Sequence, residues 1–130
     1  MTQVKDMTDQ QLNRALAGLM GYSVSTEGRY FNLSRSNGDS VGIYTREESA
    51  WTFVPDYCSD HAESQEVESR AIELVGVRYA ETLVELISKP SDRRRLEHHP
   101  WGIITVALTA SPRERAEAAY ITLQGAKHNG

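Results

Sequence analysis

The sequence lacks the features that identify several large classes of protein. It has a single cysteine, Cys58, in 130 residues, so no disulfide can form within the chain and we expect a reducing compartment. No run approaches the ~18 apolar residues of a membrane-spanning helix, and residues 1–6 lack the apolar core of a signal peptide. The net charge of −4 disfavours general binding to nucleic acid, which usually requires a basic face. We therefore expect a cytoplasmic protein without membrane contact.

Signs of enzymatic chemistry are also missing. The sequence contains no nucleophile elbow, no glycine-rich phosphate loop and no zinc-protease motif. Cys58 and His61 are the one thiol and imidazole close together in sequence, and only a possible helix start would activate that thiol. The four ligands of a zinc site do not occur at recognisable spacing. We predict a non-enzymatic protein without metal or cofactor, and a hydrolase-like enzyme using Cys58 and His61 is the enzymatic alternative.

The first part of the chain predicts a helix followed by a β-hairpin. Thr8 and Gln11 match a capping box, which predicts a helix that ends at Gly21. Asn37-Gly38 lies between two β-prone runs, which predicts a hairpin. The runs are residues 29–35 and 41–45, and the candidates for their buried face are Phe31, Leu33, Val41 and Ile43. Residues 22–24 can add an edge strand, and residues 51–54 predict a further strand that ends at Pro55.

The remaining chain predicts mainly helices. Apolar spacing predicts a helix from Ser59 that Gly76 breaks or kinks. Its apolar stripe consists of Val67, Ala71, Leu74 and Val75, and its acidic, solvent-facing side of Glu63, Glu66, Glu68 and Glu73. Residues 77–87 fit either a helix or a strand, and we favour the helix. Residues 102–108 are typical of a strand buried on both faces.

A last helix is predicted from Ser111 to Gly125, which leaves residues 126–130 as a flexible tail. Together these elements predict one α+β domain, residues 1–125. Its small antiparallel sheet is sandwiched between helices, in the order α-β-β-β-α-α-β-α.

The start of the last helix is the clearest candidate for a ligand site. Ser111, Pro112 and Glu114 are typical of a helix N-terminus. Arg113 and Arg115 lie in the same first turn, where free backbone N–H groups favour an anion. Guanidinium groups and N–H donors could therefore converge on one phosphate. The structural alternative is that Arg113 pairs with Glu117 four residues on and that Glu114 neutralises the turn.

A second candidate is the basic run at residues 93–95, with Arg94 at its centre and His98 and His99 close by. Three adjacent arginines in an acidic protein create a local positive field. Such a field would attract phosphates or an acidic partner, although a solvated loop is an equal alternative. Trp101 could stack on a nucleotide base or pack into the core.

The chain resembles a family of small phage and prophage proteins, the phage ABA sandwich proteins. The residues that match are Pro55, Tyr57 and Asp60, then Thr109, Ala110, Arg115, Ala116, Glu117 and Ala118, together with a helix at residues 12–16 before Gly21 and Tyr22. The hairpin around Asn37-Gly38 and the basic run depart from the family pattern. The resemblance implies a layered helix–sheet–helix fold and a non-enzymatic accessory role in the cytoplasm of an infected bacterial host.

These observations lead to two functional hypotheses. The first is a homo-oligomeric sponge that acts against host defence by sequestering an anionic nucleotide immune signal, with Arg113, Arg115, Arg94 and Trp101 as ligand-binding residues. The second is a protein–protein inhibitor or adaptor that binds a host protein through the basic run and an acidic helix face.

Overall fold

The computed structural model describes residues 3–87 and 109–129. Within them the elements, in chain order, are a 3₁₀ turn at Val4–Asp6, α1 (Asp9–Leu19), β1 (Ser23–Glu27), β2 (Tyr30–Ser34), β3 (Ser40–Tyr44), α2 (Glu47–Trp51), α3 (His61–Ile87) and α4 (Pro112–Asn129). The predicted α+β class is confirmed, with a three-stranded antiparallel sheet in the order β1-β2-β3. The basic run at 93–95, Trp101 and the predicted strand at 102–108 lie outside the described residues.

Helix α1 begins and ends where the sequence predicts. The Thr8 hydroxyl accepts from the Gln11 N–H at 3.1 Å, and the Thr8 N–H donates to the Gln11 side chain at 2.9 Å. Gly21 ends the helix with a φ of +100°, a conformation that side chains with a Cβ rarely adopt. This lets the Tyr22 N–H donate back to the Ala17 carbonyl at 2.9 Å.

The hairpin is confirmed, and its register corrects one predicted core residue. Phe31 pairs with Tyr44 and Leu33 with Gly42, so these four residues share the inner face. Ile43 pairs with Asn32 on the opposite face and is 59% exposed. The prediction that Ile43 is buried is wrong because a bulge in the β2–β3 ladder shifts the alternation between faces.

The predicted strand at residues 51–54 is also wrong. Trp51 ends α2, and the N–H groups of Thr52 and Phe53 donate to the α2 carbonyls of Ser49 and Ala50. These donors are therefore unavailable for a sheet. The Phe53 ring stacks on Tyr44 with centroids 4.8 Å apart, so side-chain packing overrides the β propensity of this segment.

Helix α3 is sharply bent at its centre. Residues 77–87 form a helix, which confirms the favoured prediction. Val75, directly before Gly76, has non-helical angles of φ −151° and ψ 67°. The Tyr79 hydroxyl donates to the Glu68 carboxylate across this break at 2.5 Å. In a straight helix, residues eleven apart are separated by about 16 Å, which these two side chains cannot span. The break at Val75 therefore folds the two halves of α3 towards each other.

Helix α4 is the central helix of the described core. Ala116, Ala118, Ala119 and Leu123 are buried, and α4 packs along both α3 and α1. The small alanine side chains allow the neighbouring helices to approach closely. The predicted end at Gly125 is wrong because α4 continues to Asn129. A Cβ at Gly125 would lie 3.6 Å from the Arg78 guanidinium, so this glycine marks a close approach to α3.

Candidate functional site

The start of α4 uses its own side chains to satisfy its first turn. The Ser111 hydroxyl accepts from the Glu114 N–H at 3.1 Å, and the Ser111 N–H donates to the Glu114 carboxylate at 2.9 Å. This reciprocal capping box confirms the predicted helix start. Because Glu114 already supplies a negative charge here, the turn has less to gain from an external anion.

Arg113 connects the start of α4 to the N-terminal segment of the chain. Its Nη1 forms an ion pair with Asp9 at 2.7 Å, and its Nε contacts Glu117 at 3.4 Å. Its Nη2 donates to the backbone carbonyls of Val4 at 3.0 Å and Met7 at 2.8 Å. The structural alternative for Arg113, pairing with Glu117, is thus confirmed and extended.

The environment of Arg113 favours its charged form. Burial by itself lowers the pKa of the guanidinium, but the hydrogen bond to Asp9 and the charges around it outweigh burial and raise the pKa above its ordinary value. The Glu117 carboxylate that it contacts is largely buried. Removing the guanidinium would leave that carboxylate in a low-dielectric site without its described cation.

Arg115 points into a second internal cluster. Its Nη1 pairs with the Glu68 carboxylate at 3.1 Å, and its Nε donates to the Ala110 carbonyl at 3.2 Å. The same carboxylate accepts from the Tyr79 hydroxyl, whose pKa is raised by burial and by this hydrogen bond. Glu68 is largely buried, so its predicted place on the solvent-facing side of the helix is wrong. The bend in α3 creates this cluster, and residue spacing on a straight helix would not have found it.

Cys58 shows no sign of an activated nucleophile. Its thiol is buried, 3.6 Å from the Asp9 carbonyl and 4.0 Å from Nη1 of Arg113. Burial, followed by the negative charge of Asp9, raises the pKa of the thiol to about 12, although Arg113 opposes this. A thiol with that pKa is protonated at neutral pH, and the thiolate is the nucleophilic form.

Exposed apolar side chains collect at the bend of α3, which we call the α3 elbow (residues 72–77). The large aliphatic side chains of Ile72, Leu74 and Val77 are 51%, 48% and 76% exposed. Leu74 was predicted on the buried stripe, and the break at the next residue turns it outward. Ile72 and Val77 are apolar but lie outside that stripe. This position is the sequence signal that could have identified them as exposed. Single exposed aliphatic residues are ordinary, whereas larger apolar patches are typical of interaction surfaces. Three such residues within one bend therefore mark a candidate surface.

Basic residues surround the α3 elbow. Arg70 and Arg78 flank it on α3 and are exposed. Lys127, on the last turn of α4, lines a shared cleft with Arg70 and Leu74. Arg70 contacts Glu73 at 3.5 Å, whereas Arg78 and Lys127 form no ion pair with any described residue. This side of the molecule therefore presents cations to solvent, unlike the start of α4.

Within residues 3–87 and 109–129, no group of three or more His, Cys, Asp or Glu side chains could hold a metal ion. None of the helices in these ranges is both long enough and apolar enough to cross a membrane.

Comparison with known proteins found no matching family model, no matching curated protein and no matching solved structure. The resemblance to the phage ABA sandwich proteins therefore stays a prediction.

Proposed function

We propose that this chain is a non-enzymatic binding module that contacts a partner protein through the α3 elbow. The observation that carries the proposal is the exposure of Ile72, Leu74 and Val77 within six residues of one bent helix. Buried apolar area is the main favourable term in most protein association. The α3 elbow leaves three aliphatic side chains exposed and so supplies such area on a helix that packs against α4.

The charges around the α3 elbow add specificity to this proposal. Arg70 and Arg78 flank the aliphatic side chains on α3, and Lys127 reaches the same side from α4. Complementary charge steers association and selects among partners more than it adds affinity. The preferred partner is therefore acidic at the contact. If the resemblance to phage ABA sandwich proteins holds, this partner is a bacterial host protein involved in defence.

Site-specific photo-crosslinking in the native cell tests this proposal. A photoreactive amino acid at Val77 should yield a discrete partner adduct, because Val77 is the most exposed of the three aliphatic residues of the α3 elbow. The matched control places the same group at Ile43, another aliphatic residue, which is 59% exposed on the outer face of the sheet. Equal labelling from both positions, or none from Val77, would contradict the proposal.

Substitution gives an independent measurement of the same contact. Val77→Ser and Ile72→Ser should each reduce recovery of the cross-linked partner by about tenfold, within the range of a typical interface anchor. Ile43→Ser should leave recovery unchanged. Circular dichroism checks that all three variants are folded.

The nucleotide sponge is the second candidate, since two arginines lie in the first turn of α4. Arg113 and Arg115 would have to exchange contacts with Asp9, Glu117 and Glu68 for contacts with a phosphate. A thermal-shift screen against cyclic and linear nucleotides tests it. A rise in Tm that Arg113→Lys abolishes would support the sponge, and no rise with any nucleotide would eliminate it.

A further inference from the structure

A cleft of about 280 Å³ opens beside the α3 elbow, between α1, α3 and α4. Each helix contributes one leucine to the lining of the cleft, Leu19, Leu74 and the largely buried Leu123. The volume of the cleft is close to the lower end of the ~300–1,000 Å³ of clefts that enclose a drug-sized ligand. A cleft of this size is suited to one or two inserted side chains.

Small residues keep the cleft open. Gly18 forms part of the α1 wall and Ala126 part of the α4 wall. A Cβ built at Gly18 would meet no atom within 4 Å, so the space in front of this backbone is free. An entering side chain can therefore approach α1 closely.

The rim of the cleft is basic. Arg70 and Lys127 line it from opposite helices. The only described partner of Arg70 is Glu73, in an ion pair whose two side chains are 46% and 70% exposed. Such an exposed pair contributes little and exchanges readily for another carboxylate. The net charge of the chain is −4, so two cations beside a leucine-lined cleft are a local exception. Their positive charge favours an acidic occupant.

We infer that this cleft binds an acidic segment of the partner protein, which inserts one bulky apolar side chain onto Leu19, Leu74 and Leu123 while flanking Asp or Glu residues pair with Arg70 and Lys127. The inference rests on the proposed function and names the chemistry of the partner. A free phosphate would use the cations and leave the leucines uncovered. A purely apolar segment would leave the cations without partners.

A peptide-display library of random sequences, selected on the full chain, provides the probe. The enriched peptides should share one large apolar residue flanked by Asp or Glu. Their affinity should fall as salt is raised, because the rim charges are screened. Enrichment of peptides without this acidic pattern, or no enrichment, would overturn the inference.

The lining of the cleft provides matched variants. Gly18→Trp fills the cleft and should weaken the selected peptides by about tenfold or more, the loss expected of a blocked anchor pocket. Gly18→Ala adds only a Cβ in open space and should retain affinity. The double variant Arg70→Glu, Lys127→Glu should weaken binding as strongly as Gly18→Trp. Equal peptide affinity for Gly18→Trp and Gly18→Ala, both folded by circular dichroism, would overturn the inference.

The cleft and the proposed function can fail separately. If the partner cross-linked from Val77 is recovered undiminished with Gly18→Trp, the binding function stands and the cleft inference is wrong. If Val77 yields no partner while acidic peptides bind the cleft and lose affinity in Gly18→Trp, the cleft inference stands and the proposed contact through the α3 elbow is wrong.

Discussion

The two ends of α4 hold their cations in opposite ways. At its start, Arg113 and Arg115 are largely buried and paired with carboxylates from α1, α3 and α4 itself. At its end, Lys127 is exposed beside Arg70 of α3. A buried charge must be paired to be tolerated, whereas an exposed cation can exchange partners at little cost. The first set therefore contributes mainly to stability, and the second is available for binding.

The largest expected effect comes from breaking the ion pairs at the start of α4. Arg113→Met should lower the free energy of unfolding by about 3 kcal/mol, because it removes the described cation from the buried Glu117 carboxylate. Arg70→Met, the matched change at the exposed end, should cost less than about 0.5 kcal/mol. Urea denaturation followed by circular dichroism measures both.

A second substitution tests the cause of that loss. Adding Glu117→Gln to Arg113→Met removes the stranded charge and should recover about 1 kcal/mol or more. Equal costs for Arg113→Met and Arg70→Met would show that the two ends of α4 do not differ as described.

The cluster around Glu68 should give the next largest effect. Glu68→Gln removes the ion pair with Arg115 and weakens the acceptor for Tyr79, so we expect a loss of about 2 kcal/mol. Tyr79→Phe keeps the ring and removes only the donated hydrogen bond, so we expect about 1 kcal/mol. Urea denaturation again gives the values, and a cost for Tyr79→Phe that exceeds that of Glu68→Gln would contradict this ranking.

These clusters mark the limit of prediction from the sequence. Local patterns predicted both capping boxes, the hairpin and the four-residue spacing of Arg113 and Glu117, because each depends on neighbours along the chain. The contact between Arg113 and Asp9 joins residues 104 positions apart, and no local pattern predicts it. Glu68 was placed on the solvent-facing side because the apolar spacing of its own helix does not show that Arg115 and Tyr79 cover it.

The errors in the sheet have the same origin. Trp51 and Phe53 have high β propensity, but stacking of Phe53 on Tyr44 and the turn after α2 determine their conformation. Ile43 followed a strict alternation that the bulge in the ladder interrupts. The α3 elbow depends on the break at Val75, which the glycine at the next position indicated without showing which side chains would be exposed.

Two glycines at the end of α1 test whether the cleft beside Gly18 is open. Gly18→Ala should raise the free energy of unfolding by about 0.5–1 kcal/mol, because alanine favours the helix and its Cβ meets no atom within 4 Å. Gly21→Ala should lower it by about 1–2 kcal/mol. Gly21 has a φ of +100°, and its Cβ would lie 2.5 Å from the Cβ of Ser36. Thermal and urea denaturation should show opposite signs, and destabilisation by Gly18→Ala would mean that the cleft is not open there.

The smallest expected effect concerns the start of α3, where several carboxylates lie close together. The cations beside the α3 elbow are the corresponding group of positive charges. Burial, followed by the charges of Glu66 and Asp60, raises the pKa of Glu63 above its ordinary value of 4.5, and Arg35 from the hairpin only partly opposes this. The folded chain therefore binds this proton more tightly than the unfolded chain, so stability falls as pH rises above about 4.5. Glu63→Gln should make the protein more stable than the parent at pH 7, and the difference should vanish near pH 4. Thermal denaturation at the two pH values measures it, with the exposed Glu81→Gln as control. If Glu63→Gln is more stable than the parent by the same amount at both pH values, the gain comes from side-chain packing. The ionisation of Glu63 would then not explain it.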